Sequence, residues 1–320
     1  MARMEANQVT LDYDFEGSAG GTVKVVDIAY GLSLLNRKSY RSGYVYSVDY
    51  VEYIGAEDDI VQTVVMPFSY PLLNAWKLGF DEWKKQRARA IDETGIEPGK
   101  WSDFKPWYSV QHYEGPSGGA GWEEITPSGI TGDTLTFAPL STAGSEWNRA
   151  ELIATVASSA QAQTINVGML GLDDMGVAYG SLINVYGETR VATLAPDPLL
   201  PTAASTSWIT RVGPEPADMQ EDVINLIEAE NDYPPYANEE DVTSPPICNG
   251  GAFSADNGFL MDKGRVGSTG RPLTLSGGIV PLGMMLLRII STSGADGLFR
   301  VHCTRGDYKG VAAVPMGAFR

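Results

Sequence analysis

The sequence predicts an all-β fold of antiparallel strands. Short runs of β-branched and aromatic residues recur along the chain and are interrupted by Gly, Pro, Asp and Asn, which is the pattern of strands joined by turns. The composition, with 43% hydrophobic residues, 36 Gly and 19 Pro among 320 residues, is typical of a loop-rich globular protein. Strands are expected at 22–30, 44–54, 59–67, 104–113, 133–140, 151–158, 164–170, 177–187, 251–255, 272–276, 285–291 and 298–304.

The strand at 44–54 carries apolar side chains at both odd and even positions, so we expect part of it to be covered on both faces. The sequence GAEDD at 55–59 follows it directly, and Gly and Asp are common turn residues. We therefore expect an antiparallel hairpin over residues 44–67 with an acidic, exposed loop.

Two amphipathic helices interrupt the β pattern. The first is expected over residues 70–94, because Ser69 can cap it, Pro71 suits its first turn and Gly95 can end it. Its apolar residues recur at helical spacing, at Leu72, Trp76, Phe80, Trp83 and Ile91. The basic residues lie largely on the other side and are interpreted as a solvated face, with Lys77, Lys84, Lys85, Arg87 and Arg89. A second helix is expected over residues 216–231.

A Pro-rich segment at 193–205 separates the strands expected before residue 190 from those expected after residue 205. Such segments are typical of domain boundaries. We therefore divide the chain into residues 1–195, which contain the inserted helix 70–94, and residues 196–320, which form a second domain or an elaborated C-terminal half.

The chain is strongly acidic. It has 23 Lys and Arg residues against 40 Asp and Glu residues, a net charge of −17, and such a surface repels phosphate at long range. The first residues hold one base, Arg3, against Glu5, Asp12, Asp14 and Glu16, so we expect no basic arm. Direct nucleic-acid binding is therefore disfavoured.

The sequence shows few of the features that membrane insertion, redox chemistry or metal binding require. No run of eighteen apolar residues occurs, so no membrane-spanning helix is expected, and the first residues lack the features of a secretory signal peptide. Cys248 and Cys303 lack the spacing of a zinc site. They are interpreted as buried thiols, with a disulfide as the alternative. His112 and His302 lie on expected strands and are interpreted as structural. We expect no cofactor.

Short motifs for phosphate-binding loops, serine hydrolases and zinc proteases are not found. A glycosidase needs only two carboxylates, which can come from distant strands. The candidates are Glu123 and Glu124 beside Trp122, and Glu146 beside Trp147. A simpler interpretation is that these acids lie in loops next to aromatic residues that pack in the core. We therefore expect that the protein is not an enzyme. The first alternative is a carbohydrate-binding or glycoside-cleaving β-sandwich with a groove lined by Trp101, Trp122 or Trp147.

The segment EAENDYPPYANEED at 228–241 places six carboxylates around a Pro-Pro turn. It lacks the ligand spacing of calcium-binding loops, so a weak cation site is the lesser alternative, formed by Glu230, Asp232, Glu239 and Asp241. Rigid aromatic residues with a charged border are typical of protein interfaces. We interpret the turn as a contact between subunits, made by Tyr233, Pro234, Pro235 and Tyr236.

Five segments carry a resemblance to a known family, in order along the chain. They are LLNRKSYRSGYVYSVDYVE (34–52), LLNAWKLGFDEWKKQRARAIDETGIEPGKWSDFKPWY (72–108), INVYGETRVATLAPDP (183–198), DVINLIEAENDYPPY (222–236) and GDYKGVAAVPMG (306–317). Together they resemble the capsid proteins of small single-stranded DNA viruses, a family known mostly from environmental sequences. The chain departs from the family at Ser42, where Gln is usual, and in its expected lack of an Arg/Lys-rich arm.

The resemblance implies a viral jelly roll. Length, strand number and the Pro-rich segment favour a double jelly roll, divided at residue 195, over a single barrel with large insertions. The implied function is that of a major capsid protein, which assembles with copies of itself as homotrimers into the icosahedral shell of a virion. Minor capsid proteins, a membrane or a separate basic protein are implied as further partners. A phage tail or fibre subunit is the second alternative.

On this interpretation, two groups of rigid residues contact neighbouring subunits. The first group anchors the helix and comprises Trp76, Phe80 and Trp83; packing inside the core is the alternative role for it. The second group is the turn Tyr233, Pro234, Pro235 and Tyr236.

Overall fold

The computed structural model describes residues 8–17, 21–95, 102–115, 121–127, 147–155, 162–171, 178–188, 258–268, 271–291 and 293–319. The helices are α1 (Ile28–Asn36), α2 (Tyr70–Thr94), α3 (Val110–Glu114) and α4 (Leu182–Glu188). The strands before residue 189 are β1 (Thr10–Phe15), β2 (Thr22–Asp27), β3 (Tyr44–Ile54), β4 (Ile60–Val65), β5 (Glu123–Ile125), β6 (Glu151–Thr155), β7 (Ala162–Gly168) and β8 (Tyr179–Ser181). Those after residue 257 are β9 (Phe259–Arg265), β10 (Leu273–Ser276), β11 (Ile279–Pro281), β12 (Met284–Ile290), β13 (Gly297–Cys303), β14 (Arg305–Gly306), β15 (Gly310–Val311) and β16 (Ala313–Pro315).

Two sheets dominate the described residues, so the protein is mostly β, which agrees with the predicted all-β class at this coarser level. One sheet has the order β1-β13-β3-β10, and β11 and β16 pair with the remaining half of β3. The other has the order β5-β2-β12-β4-β9. All these pairs are antiparallel except that of β2 with β5. Two smaller sheets pair β6, β7 and β8, and β14 with β15.

The strands of the two main sheets are paired in a nested series. The first strand, β1, pairs with the last long strand, β13, and β2 pairs with β12. Continuing inward, β3 pairs with β10, and β4 pairs with β9. Each main sheet therefore combines strands from the start and the end of the chain, and the predicted division at residue 195 does not separate these sheets. An insertion, residues 66–258, lies between the innermost pair, β4 and β9.

The hairpin expected over residues 44–67 is wrong. Strands β3 and β4 are consecutive, but β3 belongs to the six-stranded sheet and β4 to the five-stranded sheet. The connection is fixed by Asp59, which is buried. Its Oδ2 accepts hydrogen bonds from the hydroxyl of Tyr53 at 2.8 Å and from the backbone N–H of Ala56 at 3.0 Å. Turn residues alone therefore predicted a tight connection correctly, but not which strands it joins.

A bulge reverses the side-chain alternation in the middle of β3. Tyr50 lies opposite His302, whereas Val48 lies opposite Cys303, so that Asp49 has no partner in this register. Val48 belongs to the core between the sheets, as does Val51 three residues later. Tyr50 instead stacks on His302, with ring centroids 4.1 Å apart.

The inner core fills the space between the two main sheets. Alternate residues of β12 contribute to it, namely Met285, Leu287 and Ile289. Their neighbours on the same sheet include Val26, Val61 and Val65, and the opposite sheet contributes Leu11, Val51, Phe299 and Val301. The sheets thus form a sandwich whose strands alternate between inward and outward residues.

An outer core lies between the five-stranded sheet and the insertion. The intervening residues of β12, Met284 and Leu286, point to this second cluster. The insertion covers them with Leu72, Trp76, Phe104, Tyr108, Met169 and Leu182. Because β12 is covered on both faces, its sequence MMLLRII is almost continuously apolar rather than alternating.

Helix α2 agrees with the prediction for residues 70–94. Ser69 Oγ accepts the backbone N–H of Leu72 at 3.4 Å, Pro71 lies in the first turn, and Gly95 ends the helix with φ 67°. This left-handed conformation favours glycine. Capping residues and apolar spacing were sufficient for this element.

Three expected strands are partly or wholly helical. The strand predicted at 22–30 ends at Asp27, which caps α1. The strand predicted at 104–113 is wrong, because residues 110–114 form α3 and only Trp107 makes an isolated β-bridge. The strand predicted at 177–187 is limited to β8, after which α4 begins. Short apolar runs do not distinguish buried helices from buried strands.

Several predicted elements lie outside the described residues. They are the strands at 133–140 and 251–255, the helix at 216–231 and the Pro-rich segment at 193–205. Within the described ranges, none of the helices is long and apolar enough to cross a membrane.

We expect Leu286→Ala to lower the free energy of unfolding by about 2 to 5 kcal/mol, because it opens a cavity between the sheet and the insertion. Thr274→Ala, at an exposed position of β10, is the control and should change it by about 0.5 kcal/mol or less. Urea denaturation measures both values. Equal effects of the two substitutions would contradict the outer core.

Candidate functional site

The aromatic residues predicted to anchor α2 form one row with Phe104. Trp76 stacks on Phe80 with ring centroids 5.0 Å apart, and Phe80 lies 6.2 Å from Trp83. Phe104 lies 6.4, 6.0 and 5.9 Å from these three rings in turn. Trp76 is buried within the chain, whereas Phe80 and Trp83 are half-buried. Of the three, therefore, Phe80 and Trp83 have the most surface left for a second molecule.

Two glycines allow α2 to approach its neighbours closely. A Cβ atom on Gly79 would lie 2.6 Å from Leu182 of α4, and one on Gly43 would lie 2.9 Å from the Trp76 ring. Real Cβ atoms do not come this close to other heavy atoms. The position of α2 on the sandwich therefore depends on small residues on both sides of the helix.

The second half of α2 leaves the core and carries the bases. Lys84, Lys85 and Arg89 are exposed, as expected for a solvated face. Lys77 and Arg87 are only partly exposed: Lys77 Nζ donates to the Phe319 carbonyl at 2.8 Å, and Arg87 lies over the Trp83 ring. Gln86 attaches this half to β6: its Oε1 accepts the backbone N–H of Ile153 at 3.0 Å, and its Nε2 donates to the Ile153 carbonyl at 2.8 Å. The helix is thus held on one side and open on the other.

The other predicted site residues lie outside the described part of the chain. These are the turn Tyr233, Pro234, Pro235 and Tyr236, and the alternative cation ligands Glu230, Asp232, Glu239 and Asp241. Cys248, Trp101 and Glu146 lie there as well. Among the residues that are described, no group of three or more His, Cys, Asp or Glu side chains could hold a metal ion.

A buried cluster of charged residues joins the insertion to the sandwich. At its centre, Arg149 Nη2 lies 3.0 Å from Asp27 Oδ2, at the end of β2, and 2.8 Å from Glu124 Oε2, on β5. Trp147 donates from Nε1 to Asp27 Oδ2 at 3.2 Å. The backbone N–H of Tyr30 donates to Asp27 Oδ1 at 3.0 Å. Both carboxylates therefore share one guanidinium inside the protein.

Burial disfavours the charged form of each of these groups. In Asp27 burial outweighs the attraction of Arg149, and the pKa of Asp27 is raised. In Glu124 the charge of Arg149 and the hydrogen bond with His112 outweigh burial, and the pKa of Glu124 is lowered. The two carboxylates likewise overcome burial at Arg149 and raise the pKa of its guanidinium. The cluster thus keeps a cation inside the protein by surrounding it with acids.

His112 extends the cluster, and its contacts fix its tautomer. The backbone N–H of Tyr108 donates to Nδ1 at 3.2 Å, and Nε2 lies 2.9 Å from Glu124 Oε2. A neutral ring that accepts at Nδ1 carries its proton on Nε2 and donates it to Glu124. Burial lowers the pKa of His112 below its ordinary value of 6.5. The neutral form therefore fits both contacts.

Lys105 and Asp103 lie close to the cluster, and Lys105 interacts electrostatically with Arg149 and Asp27. Lys105 Nζ is 4.5 Å from the centre of the Trp147 ring, and burial lowers the pKa of this lysine. Asp103 Oδ2 accepts the backbone N–H of Ser42 at 3.0 Å, and burial raises the pKa of Asp103. The hydrogen bond of Asp103 ties the segment after α2 to the residues just before β3.

The cluster has the chemistry of an anchor rather than of a reaction centre. The side chains of Asp27, Glu124 and Arg149 have 0%, 6% and 2% of their surface exposed, which leaves almost no room for a substrate. Glu124 Oε1 and Arg149 Nε have no hydrogen-bond partner among the described residues. Removing one member of such a cluster leaves an uncompensated charge, which is strongly destabilising.

Sequence reasoning missed this cluster. It treated Glu124 as a loop acid and did not single out Asp27 or Arg149. A signal for Asp27 was present, since it directly precedes the apolar run IAYGLSLL and can cap a helix there. Nothing in the spacing of Glu124 and Arg149 indicates that a guanidinium would meet both acids.

The tryptophans of the carbohydrate alternative are internal where they are described. Trp122 is 6% exposed and lies 6.0 Å from the Tyr108 ring. Trp147 is 4% exposed and stacks on Tyr30 with centroids 5.0 Å apart. Neither ring is available to line a sugar-binding groove.

His302 and Cys303 also have contacts typical of residues with a structural role. His302 lies on β13 as predicted, and its Nε2 is 3.1 Å from Glu52 Oε2. Cys303 is a buried thiol, and burial raises its pKa to about 12. A thiol with a raised pKa is a poor nucleophile.

An acidic cleft of about 900 Å³ opens at one end of the sandwich. Its acids are Asp14, Glu16, Glu123 and Asp296. Its apolar residues are Ile54, Ile125 and Leu298. Lys24 is also part of the lining and forms an ion pair with Glu123. The cleft thus combines an acidic rim with apolar walls.

No family model, no curated protein and no solved structure matches this chain.

We expect acidification from about pH 7.5 to about pH 5.5 to destabilise the folded chain through His112, because the unfolded state binds a proton there that the folded state excludes. The loss reaches at most about 1.4 kcal/mol per pH unit. His112→Gln retains a donor for Glu124 but cannot titrate, and should reduce the loss. The raised pKa of Asp27 has the opposite effect on stability, because acidification then favours the folded chain. This effect is present in both proteins, so the difference between them reports the contribution of His112. Urea midpoints that fall equally in both proteins would contradict the assignment.

Proposed function

We propose that this chain is a viral major capsid protein that acts by self-assembly, and that its sandwich is a jelly roll. The nested strand pairing carries the proposal: β1 with β13, β2 with β12, β3 with β10 and β4 with β9. Four nested antiparallel pairs, wrapped so that alternate pairs fall in opposite sheets, give the eight-stranded double Greek key of a jelly roll.

The nested series supports a single jelly roll with a large insertion. Its outer pairs join the two ends of the chain, and its innermost pair, β4 and β9, encloses residues 66–258. Two jelly rolls in tandem would each close within its own half of the chain. We therefore favour the single jelly roll over the double one that length and the Pro-rich segment suggested.

Three of the five segments that resemble capsid proteins contact one another. The Tyr40 hydroxyl donates to the Lys309 carbonyl at 2.9 Å, and the backbone N–H of Met316 donates to the Gly43 carbonyl at 3.0 Å. These contacts join segment 34–52 to segment 306–317. The hydrogen bond from Ser42 to Asp103 joins segment 34–52 to segment 72–108. Contacts among these three segments support the proposal, because the resemblance then involves residues that lie together in the fold.

The jelly roll also occurs in lectin-type domains, so the fold alone does not separate a capsid protein from the carbohydrate-binding alternative. The burial of Trp122 and Trp147 argues against the groove that this alternative requires. A tail or fibre subunit would use the same strands under a different symmetry. We therefore propose homotrimers in an icosahedral shell, with copies of the chain as the main partners.

Sedimentation velocity and negative-stain electron microscopy of the purified full chain test this function. The proposal predicts trimers that convert to closed shells as the concentration rises. Monomers that bind or hydrolyse a sugar polymer would support the carbohydrate alternative, and open tubes would support a tail or fibre subunit. Either result would overturn the proposal.

Two substitutions separate folding from assembly. Trp83→Ala removes the half-buried ring beside Phe80 and Phe104, and should lower the free energy of unfolding by about 2 kcal/mol. Tyr236→Ala should leave the urea midpoint unchanged but reduce the yield of particles. Normal particle yields from both variants in electron microscopy would contradict these roles.

A further inference from the structure

A run of bases lies on the open side of α2. Four of the six positions from residue 84 to residue 89 are Lys or Arg, in a chain whose net charge is −17. Lys84 and Arg89 are exposed, and Lys85 is exposed beside Glu82. Arg87 lies 5.3 Å from the centre of the Trp83 ring. This basic run therefore has the opposite sign to most of the molecule.

The acidic cleft has a composition suited to binding long cationic side chains. Lys and Arg carry apolar stems and charged heads, and pack best where apolar surface adjoins acids. Ile54, which is 43% exposed, provides apolar surface, and Asp14 and Glu16 are exposed at the rim. Lys24 already neutralises Glu123. Asp296 is exposed as well, and its Oδ1 accepts the backbone N–H of Gly17 at 3.1 Å. Asp14 and Glu16 are thus the acids best placed to meet cations from outside.

The basic run and the cleft belong to different parts of the chain. Helix α2 packs against α4, β6 and the turn Met316–Ala318. The cleft is formed at the ends of β1, β2, β3, β5 and β13. A contact between two different patches is heterologous, and its repetition gives closed rings if the rotation closes and open filaments if it does not. A shell built from the proposed homotrimers requires the closed case.

We propose that the basic run of α2, residues 84–89, docks into the acidic cleft of a second copy of this chain. The inference rests on the proposed function and specifies one contact through which copies assemble. Complementary charge is the observation that selects a second copy as the occupant. Acids of a second copy would offset the mutual repulsion among the neighbouring bases of residues 84–89.

Charge reversal with rescue tests the contact. Lys84→Glu with Arg89→Glu reverses the helix face, and glutamate keeps a high helix propensity. Asp14→Lys with Glu16→Lys reverses the cleft rim. Each pair alone should raise the protein concentration needed for assembly by about tenfold or more, and all four substitutions together should restore assembly. Sedimentation velocity over a concentration series measures this.

A control separates the contact from the effect of net charge. Lys263→Glu with Arg271→Glu changes the net charge as much as the helix pair does, at two exposed positions outside both patches. This control should assemble like the wild type. Circular dichroism and urea midpoints verify that every variant folds. Raising the salt concentration from about 0.1 M to about 1 M should weaken wild-type assembly, because the charges are then screened.

The outcomes distinguish this inference from the proposed function. If the wild type forms shells and the helix pair behaves like the control, or if the four substitutions fail to restore assembly, the contact is overturned and the proposed function stands. If the helix pair assembles normally but its particles lose bound nucleic acid, measured by absorbance at two wavelengths, the basic run faces nucleic acid and the contact is overturned. A wild type that stays monomeric contradicts both.

Discussion

The structure depends on the burial of strand β12 on both faces. Its residues alternate between the inner core, through Met285, Leu287 and Ile289, and the outer core, through Met284 and Leu286. It also pairs with β2 on one side and β4 on the other. Each apolar side chain buried in this way contributes about 1.5 to 3 kcal/mol. One strand from the end of the chain therefore holds together the sandwich, the first strands and the insertion.

The buried cluster around Arg149 gives this attachment its geometry. Apolar packing is not directional, whereas the guanidinium of Arg149 meets Asp27 and Glu124 together in one geometry. The cluster therefore adds a directional contact to the close packing of the insertion. In the proposed shell every copy would need the same insertion surface, and an ionic contact inside the chain would contribute to that uniformity.

The sequence predicted local features well and long-range pairing poorly. Helix α2 followed from Ser69, Pro71, Gly95 and apolar spacing, because caps and periodicity are local. The β3–β4 hairpin was wrong because a tight turn does not specify whether the strands pair or separate into two sheets. The strand predicted at 104–113 was wrong because an apolar run such as PWYSVQHY suits a buried helix equally well. The Arg149 cluster depends on contacts between residues up to 122 positions apart, as the positions of Asp27 and Arg149 show, and no local pattern encodes these.

Strands from both ends of the chain form one sandwich. Native-state hydrogen exchange, resolved by peptide, tests it most directly, because regions that unfold together exchange with the same free energy of opening. We expect β2, β3 and β4 to lose protection together with β12 and β13, in one opening step. Two separate steps, one for the strands before residue 195 and one for those after it, would contradict it.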